Sequence, residues 1–170
     1  MSRNVELKAH VLDVAATLER ACAAGAVEVA VLEQRDTYFA AARGRLKLRE
    51  EAGRPAALVA YSRADALEAR PSEYELAPVA DPVALARVLT LALGVRGVVE
   101  KTRRFLLWDR TVRLHLDEVR GLGSFLEIEA AAPPESDLAR EHDQVRRLAA
   151  ALAVRPEHVV AASYVDLIAG

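Results

Sequence analysis

Charged and aliphatic side chains alternate along most extended segments of this chain, and this alternation restricts its fold more than any other feature. Between residues 45 and 50, Arg45, Lys47 and Arg49 share one face, whereas Leu46 and Leu48 share the other. Successive side chains of a β-strand point to opposite faces, so a period of two predicts a strand with one charged and one apolar face. The fold must therefore bury the apolar face of each strand and give the charged face an environment that contains water or counter-charges.

About eight strands and four helices are predicted from this periodicity and from the turn and capping residues. The strands are predicted at residues 4–11, 27–39, 45–50, 56–63, 72–79, 98–108, 111–120 and 123–131. The helices are predicted at residues 13–25, 82–93, 136–152 and 156–168. Asp13 and Asp81 are the expected N-caps of the first two helices, and Cys22 is expected to be a core residue.

A closed barrel accounts for the two-sided strands. For one strand, the ordinary explanation is a charged face in solvent, as in many one-sided antiparallel sheets. That explanation weakens when it must hold for strand after strand, because a large antiparallel sheet tends to curl and close, and several apolar helix faces need something to cover. We therefore predict an α+β fold over residues 1–170 as one domain: an eight-stranded antiparallel β-barrel with helices outside and a charged lumen.

The charged lumen restricts what the barrel can hold. Burying an unpaired charge costs several kcal/mol, so the lumen is expected to contain water, metal and a ligand. Converging lysine and arginine side chains suit a polyphosphate, because guanidinium groups bind phosphate oxygens through paired donors. Carboxylates among them suit a hard divalent cation, Mg²⁺ or Mn²⁺. The chemistry implied is phosphoryl or nucleotidyl transfer.

Other classes of function lack support in the sequence. Cys22 is the single cysteine, so a thiolate zinc site and an internal disulfide are excluded. A net charge of -2 gives no sign of broad binding to nucleic acid or anionic membranes. Neither a signal-like N-terminus nor a membrane-length apolar run is seen, so we expect a cytoplasmic protein without a membrane or nucleic-acid partner. Of the histidines, His115 alone falls on the inferred lumen face.

Several segments, taken in order along the chain, carry a family resemblance. They are Asn4-Val5-Glu6-Leu7-Lys8, Gln34-Arg35-Asp36-Thr37-Tyr38-Phe39, Leu46-Lys47-Leu48-Arg49-Glu50, Tyr61-Ser62-Arg63, Lys101-Thr102-Arg103-Arg104, His115-Leu116-Asp117-Glu118-Val119 and Gly121-Leu122-Gly123-Ser124-Phe125-Leu126-Glu127-Ile128-Glu129. The first resembles the Glu-x-Glu-x-Lys signature of the CYTH domain, the family of class IV adenylyl cyclases and thiamine triphosphatases, also called triphosphate tunnel metalloenzymes. The combination is specific to that family, although its first motif alone would be weak.

The resemblance implies roles for individual residues. Catalytic roles fall to Glu6, Lys8, Glu127 and Glu129, and metal-binding roles to Glu6, Asp117, Glu127 and Glu129. Phosphate-binding roles fall to Lys8, Arg49, Arg63, Lys101 and Arg103, with Lys47 and Arg113 added because alternation places them on the same lumen face. Asn4 replaces the first glutamate of the signature, which removes one negative charge from the expected metal side.

The resemblance implies an enzyme that uses Mg²⁺ or Mn²⁺ and a small phosphate ester. The expected substrates are ATP, thiamine triphosphate, tripolyphosphate or an organic diphosphate. Attack by water would make the protein a phosphohydrolase, whereas attack by the ribose 3′-hydroxyl of ATP would make it an adenylate cyclase; the residues do not choose between them. A binding module that holds a phosphorylated metabolite without turnover is the alternative, motivated by Asn4. The sequence also leaves a homodimer open.

Overall fold

The computed structural model describes residues 1–169, which form eight strands, four α-helices and one short 3₁₀ helix. The strands are β1 (Ser2–His10), β2 (Val27–Phe39), β3 (Arg45–Glu51), β4 (Ala56–Arg63), β5 (Arg70–Val79), β6 (Val95–Leu107), β7 (Val112–Val119) and β8 (Gly123–Ala132). The helices are α1 (Val14–Ala23), α2 (Pro82–Leu93), α3 (Ala139–Ala151) and α4 (Tyr164–Ala169). Pro156–His158 is the 3₁₀ helix.

The strands close into a barrel in the order β1-β5-β4-β3-β2-β6-β7-β8, and β8 pairs with β1 to complete the ring. Every pair is antiparallel. The predicted eight-stranded antiparallel barrel is therefore confirmed. Because β1 lies between β5 and β8, strands from distant parts of the chain meet around one lumen.

The aliphatic faces point outward and are covered by the helices. One core cluster joins Val5, Leu114 and Ile128 of the barrel with Val145 and Leu148 of α3. A second cluster lies under α2, where the partly buried Leu85 and Leu89 pack against Phe39 and Leu48. Each fully buried aliphatic side chain contributes about 1.5–3 kcal/mol. Most of the hydrophobic core thus lies between barrel and helices, whereas a third cluster with Val99, Val119 and Phe125 packs against Tyr164 and Val165 at one end of the barrel.

The C-terminal segment closes one end of the barrel, in a form that differs from the predicted helix at residues 156–168. After the 3₁₀ helix the chain becomes extended, and the Val160 amide donates a hydrogen bond to the Lys8 carbonyl at 2.9 Å. The helix α4 then starts only at Tyr164, whose ring packs against Phe125. Pairing with the end of β1 satisfies backbone groups that would otherwise favour a continuous helix. We call residues 159–164 the plug segment.

Two expectations about α1 have different outcomes. The Asp13 carboxylate accepts a hydrogen bond from the Ala16 amide at 2.9 Å, so the predicted N-cap is confirmed. Cys22, in contrast, is exposed, and the expectation of a core cysteine was wrong. The buried stripe of α1 contains Thr17 and Ala21, which places the neighbouring Cys22 on the solvent side.

Among residues 1–169, no helix combines the length and the apolar character needed to cross a membrane.

Candidate functional site

The lumen contains a cavity of about 280 Å³ lined by inward-facing side chains from the barrel strands. Every residue that the sequence analysis assigned to the site lines this cavity except Asp117. These residues are Glu6, Lys8, Lys47, Arg49, Arg63, Lys101, Arg103, Arg113, Glu127 and Glu129. Strand alternation therefore selected the correct faces, and closure of the barrel brings those faces together.

Asp36 clamps one pair of lumen cations. Its carboxylate accepts hydrogen bonds from Lys47 Nζ at 2.7 Å and from Arg49 Nε and Nη2 at 2.8 Å. The side chain is fully buried, and although burial favours the protonated acid, the Lys47 and Arg49 charges hold the pKa of Asp36 well below its usual range. The clamp fixes both side chains on the wall formed by β2 and β3, and its carboxylate offsets one of their two positive charges when Lys47 is protonated.

Asp117 clamps a second pair in the same way. Its carboxylate accepts hydrogen bonds from Lys101 Nζ at 2.8 Å and from Arg103 Nε at 2.6 Å, and the Tyr164 hydroxyl donates to it at 3.0 Å. Burial opposes ionisation, yet Arg103 and Lys101 hold its pKa well below the ordinary value. Asp117 lies beneath the cavity lining, where it supports two cations, and the metal-binding role that the resemblance implied for it stays a prediction.

His115 on β7 and Glu127 and Glu129 on β8 form a cluster of one imidazole and two carboxylates. His115 Nδ1 lies 3.6 Å from Glu127 Oε2 and 3.6 Å from Glu129 Oε1, and ligand atoms of all three residues lie within 4.8 Å of one another. The Nδ1 atom of His115 is buried and has no hydrogen-bond partner. The two carboxylates supply the oxygen ligands that Mg²⁺ and Mn²⁺ take, and the unpartnered imidazole nitrogen is a further donor that suits a transition metal better than Mg²⁺. The sequence analysis placed His115 on the lumen face but did not recognise it as a ligand.

Glu6 and Glu127 have opposite electrostatic environments. Burial raises the pKa of Glu6 to about 7, because it outweighs the lowering effect of Arg63, whose Nη1 lies 3.2 Å from Glu6 Oε1. Glu127 is also buried, but Lys8 at 3.3 Å and Arg103 at 2.6 Å hold its pKa well below the ordinary value. Near neutral pH, Glu127 is a permanent anion, whereas Glu6 can hold or release a proton.

Asn4 lies on β1, next to the β8 wall that carries Glu127 and Glu129, and its side-chain oxygen has no hydrogen-bond partner. It is 5% exposed, lines the cavity, and its Oδ1 atom is buried without a hydrogen-bond partner. Its cross-strand neighbours, Ser72 on β5 and Ala131 on β8, carry no charge. A buried amide oxygen on the cavity wall without a protein donor is free to accept a hydrogen bond from water or a ligand, or to contact a cation.

Three cations donate to backbone carbonyls of the plug segment, among them Arg63, whose Nη1 lies 3.3 Å from the Ala161 carbonyl oxygen. Lys8 Nζ donates to the Ala162 carbonyl at 3.4 Å and lies 3.7 Å from the centre of the Tyr164 ring. Arg70 Nη2 donates to the Ala161 carbonyl at 3.2 Å, and this side chain is 2% exposed. Arg70 was missed because it precedes Pro71 and lies outside the strand predicted at residues 72–79. Asp36 was also missed as a clamp, although its alternation with Tyr38 could have placed it in the lumen.

The model of the family described as "CYTH domain" matches residues 2–164. The chain belongs to the CYTH domain family. A comparison with curated proteins returns no match. Solved CYTH-like structures share the barrel: the Pyrococcus horikoshii protein PH1012 is 23% identical with a TM-score of 0.86, covering 98% of this chain and 99% of that chain.

Two further solved structures carry functional names. A Vibrio parahaemolyticus protein, provisionally assigned as an adenylate cyclase, is 18% identical with a TM-score of 0.75, covering 98% of both chains. The Hippeastrum protein HpAC1, described as having a dominant triphosphatase activity, is 16% identical with a TM-score of 0.68, covering 99% of this chain and 95% of that chain. At these identities the comparison shows the common fold.

Proposed function

We propose that this CYTH protein is a phosphohydrolase that cleaves a triphosphate or diphosphate chain with the help of Mg²⁺ or Mn²⁺. The observation that carries the proposal is that two cation pairs and an acidic cluster meet in one cavity. Two clamped cation pairs lie on the walls formed by β2, β3, β6 and β7, and an acidic cluster centred on Glu127 and Glu129 lies on β8. A phosphate chain and a hard cation would occupy the two regions together.

The cations would bind and orient the phosphate chain. Asp36 and Asp117 each pair with two cations and thereby hold several N–H donors in fixed positions, and Arg103 is paired further with Glu127 at 2.6 Å. Arg63 adds a guanidinium between Glu6 and the plug segment. Preorganised donors of this kind stabilise charge that develops on phosphate oxygens, without reorganisation during the reaction.

His115, Glu127 and Glu129 would hold the metal ion, which when bound supplies Lewis-acid activation of a phosphoryl oxygen. Glu6 is the proposed proton acceptor for the attacking water, since a carboxylate with a pKa of about 7 is half ionised at neutral pH. Arg63 keeps the Glu6 carboxylate in place through their 3.2 Å ion pair. The Hippeastrum neighbour with dominant triphosphatase activity supports hydrolysis as the reaction.

The test is a product assay on purified protein with Mg²⁺ or Mn²⁺ and a panel of tripolyphosphate, ATP, thiamine triphosphate and geranyl diphosphate. We expect release of phosphate or pyrophosphate that EDTA abolishes. Glu129→Gln should lower turnover at least a hundredfold, whereas Glu118→Gln, an exposed glutamate on the outer face of β7, should leave it unchanged. Cyclic AMP from ATP would instead indicate a cyclase, and tight binding without any product would indicate a binding module.

A further inference from the structure

One side of the tunnel is apolar, in contrast to the charged walls described above. Val59 on β4 and Leu76 on β5 are direct cross-strand partners, and Tyr74 lies two residues before Leu76 on the same face. We call Val59, Tyr74 and Leu76 the apolar wall. Leu76 is 52% exposed, although it lines the cavity. A single exposed leucine is ordinary on a protein surface, but Leu76 continues a line of apolar side chains that lines the cavity.

A second apolar patch faces this wall. Leu32 on β2 and Phe105 on β6 line the same cavity. Three strands separate β5 from β6 in either direction around the barrel, so these two strands lie on opposite sides of the lumen. A group entering the tunnel between β5 and β6 therefore meets apolar surface on both sides.

The apolar surfaces lie at the end of the tunnel away from the plug segment. Phe105 is four residues beyond Lys101, whose Nζ lies 4.9 Å from the Tyr164 ring, which corresponds to about 13 Å along β6. Leu76 is six residues beyond Arg70, which is bound to the plug segment, and this corresponds to about 20 Å along β5. The apolar wall and the Leu32–Phe105 patch thus lie toward the mouth opposite the plug segment, where Arg113, the register partner of Leu107, also lines the cavity.

The apolar wall begins directly beside a phosphate-binding candidate. Lys47 on β3 is the cross-strand partner of Val59, which in turn is the partner of Leu76. Tyr38 lies on the β2 side of Lys47, whereas a chemical group bonded to a phosphate held at Lys47 and extending toward β4 would meet Val59. A ribose there would place hydroxyl groups against aliphatic carbon, which costs free energy because those hydroxyls lose hydrogen bonds to water. A hydrocarbon group would instead gain from burial.

We propose, on the basis of the proposed function, that the substrate is the phosphate ester of an apolar alkyl or aryl alcohol, whose hydrocarbon group is held between the apolar wall and the Leu32–Phe105 patch. The cavity volume of about 280 Å³ is just below the range of about 300–1,000 Å³ for drug-sized ligands, so it accommodates a phosphate chain with a small group at the mouth. Inorganic tripolyphosphate and ATP are then weaker ligands than an ester with a hydrocarbon group next to the phosphate.

The test compares three ligands with the same phosphate chain: phenyl triphosphate, ATP and tripolyphosphate. Dissociation constants are measured by calorimetry in EDTA, where metal-dependent turnover is absent. We expect phenyl triphosphate to bind the wild-type protein at least tenfold more tightly than tripolyphosphate and at least fivefold more tightly than ATP. Burial of roughly 100 Å² of ring surface is sufficient for such a preference.

Leu76→Ser should reduce the preference for phenyl triphosphate over tripolyphosphate at least fivefold and change the tripolyphosphate affinity less than twofold. The exposure of Leu76 makes this substitution compatible with folding. Leu91→Ser is the matched control, because Leu91 is an exposed leucine on α2 outside the tunnel, and it should change neither constant.

Equal affinities of the wild-type protein for the three ligands would overturn the inference and leave the proposed function standing. An equal loss of affinity for all three ligands in Leu76→Ser would have the same meaning. If none of the three ligands bound the wild-type protein in EDTA and none was cleaved with Mg²⁺ or Mn²⁺, the proposed function itself would fail.

Discussion

Asp36 is the residue whose removal tests the clamp arrangement most directly. Asp36→Asn keeps the size of the side chain and removes the charge that pairs with Lys47 and Arg49. Both cations remain inside the barrel, where they repel each other without a counter-charge. We expect a large loss of stability, because removing one partner of a buried ion pair costs about 3–5 kcal/mol.

The structure places the expected loss at the lower end of that range, at about 3 kcal/mol. Burial lowers the pKa of Lys47 to about 7, so Lys47 can lose its proton and leave Arg49 as the single uncompensated charge. At pH 8 Lys47 loses its proton readily, which removes the repulsion between the two cations. At pH 6 the same deprotonation costs additional free energy, because the protonated lysine is favoured. The loss should therefore be larger at pH 6 than at pH 8.

Thermal unfolding followed by circular dichroism measures the effect. For a chain of this length, 1 kcal/mol corresponds to about 2–4 °C in Tm, so Asp36→Asn should lower Tm by about 6–12 °C. Tripolyphosphate should raise the Tm of the variant more than that of the wild type, because the ligand supplies the missing negative charge. Glu28→Gln is the control: it removes an exposed ion pair with Arg104 at 3.0 Å and should cost at most about 1 kcal/mol.

A decrease in Tm below about 3 °C at both pH values would refute the reasoning, since about 1 kcal/mol is the cost of an exposed ion pair rather than a buried one. An equal decrease at pH 6 and pH 8 would show that Lys47 does not titrate as described.

Three further predictions follow from individual contacts. The affinity for tripolyphosphate in EDTA should fall between pH 7 and 9, because Lys47, with a pKa of about 7, must take up a proton to bind an anion. Calorimetry on Lys47→Arg should show an affinity that depends less on pH. Asn4→Glu should strengthen Mn²⁺ binding at least tenfold in a metal titration, because it adds a carboxylate where Oδ1 lacks a partner, and an unchanged affinity would place Asn4 outside the metal site. Tyr164→Phe should lower Tm by about 2–4 °C through loss of one hydrogen bond to Asp117, with KM unchanged if the hydroxyl serves only to support that carboxylate.

The sequence predicted the barrel because the required information is local. Alternation decides which side chains share a face, and it placed Lys47 and Arg49 on one side of β3 with Leu48 on the other. The number of such strands then favoured closure. Turn and capping residues located most boundaries, as the Asp13 cap of α1 shows. The C-terminal helix was predicted less well, since residues 159–163 are held extended by hydrogen bonds to a strand more than a hundred residues earlier in the chain.

The composition of the candidate site was also set by the sequence, through the resemblance to CYTH proteins and through alternation. All proposed site residues except Asp117 line the cavity. Their pairing could not be read from the sequence, because it depends on which strands become neighbours. Asp36 pairs with cations of β3, and Glu6 pairs with Arg63 of β4 across the intervening β5.

The tertiary structure alone separated the carboxylates into different chemical environments. In the sequence, Glu6, Asp117, Glu127 and Glu129 are equivalent acidic side chains on inward faces. In the barrel, Asp117 is saturated by two cations, Glu6 has a pKa of about 7, and Glu129 lies beside the unpartnered His115. The physical reason is that alternation fixes the direction of a side chain, whereas burial and neighbouring charge, which set its pKa and its free ligand atoms, depend on how the closed strands are staggered.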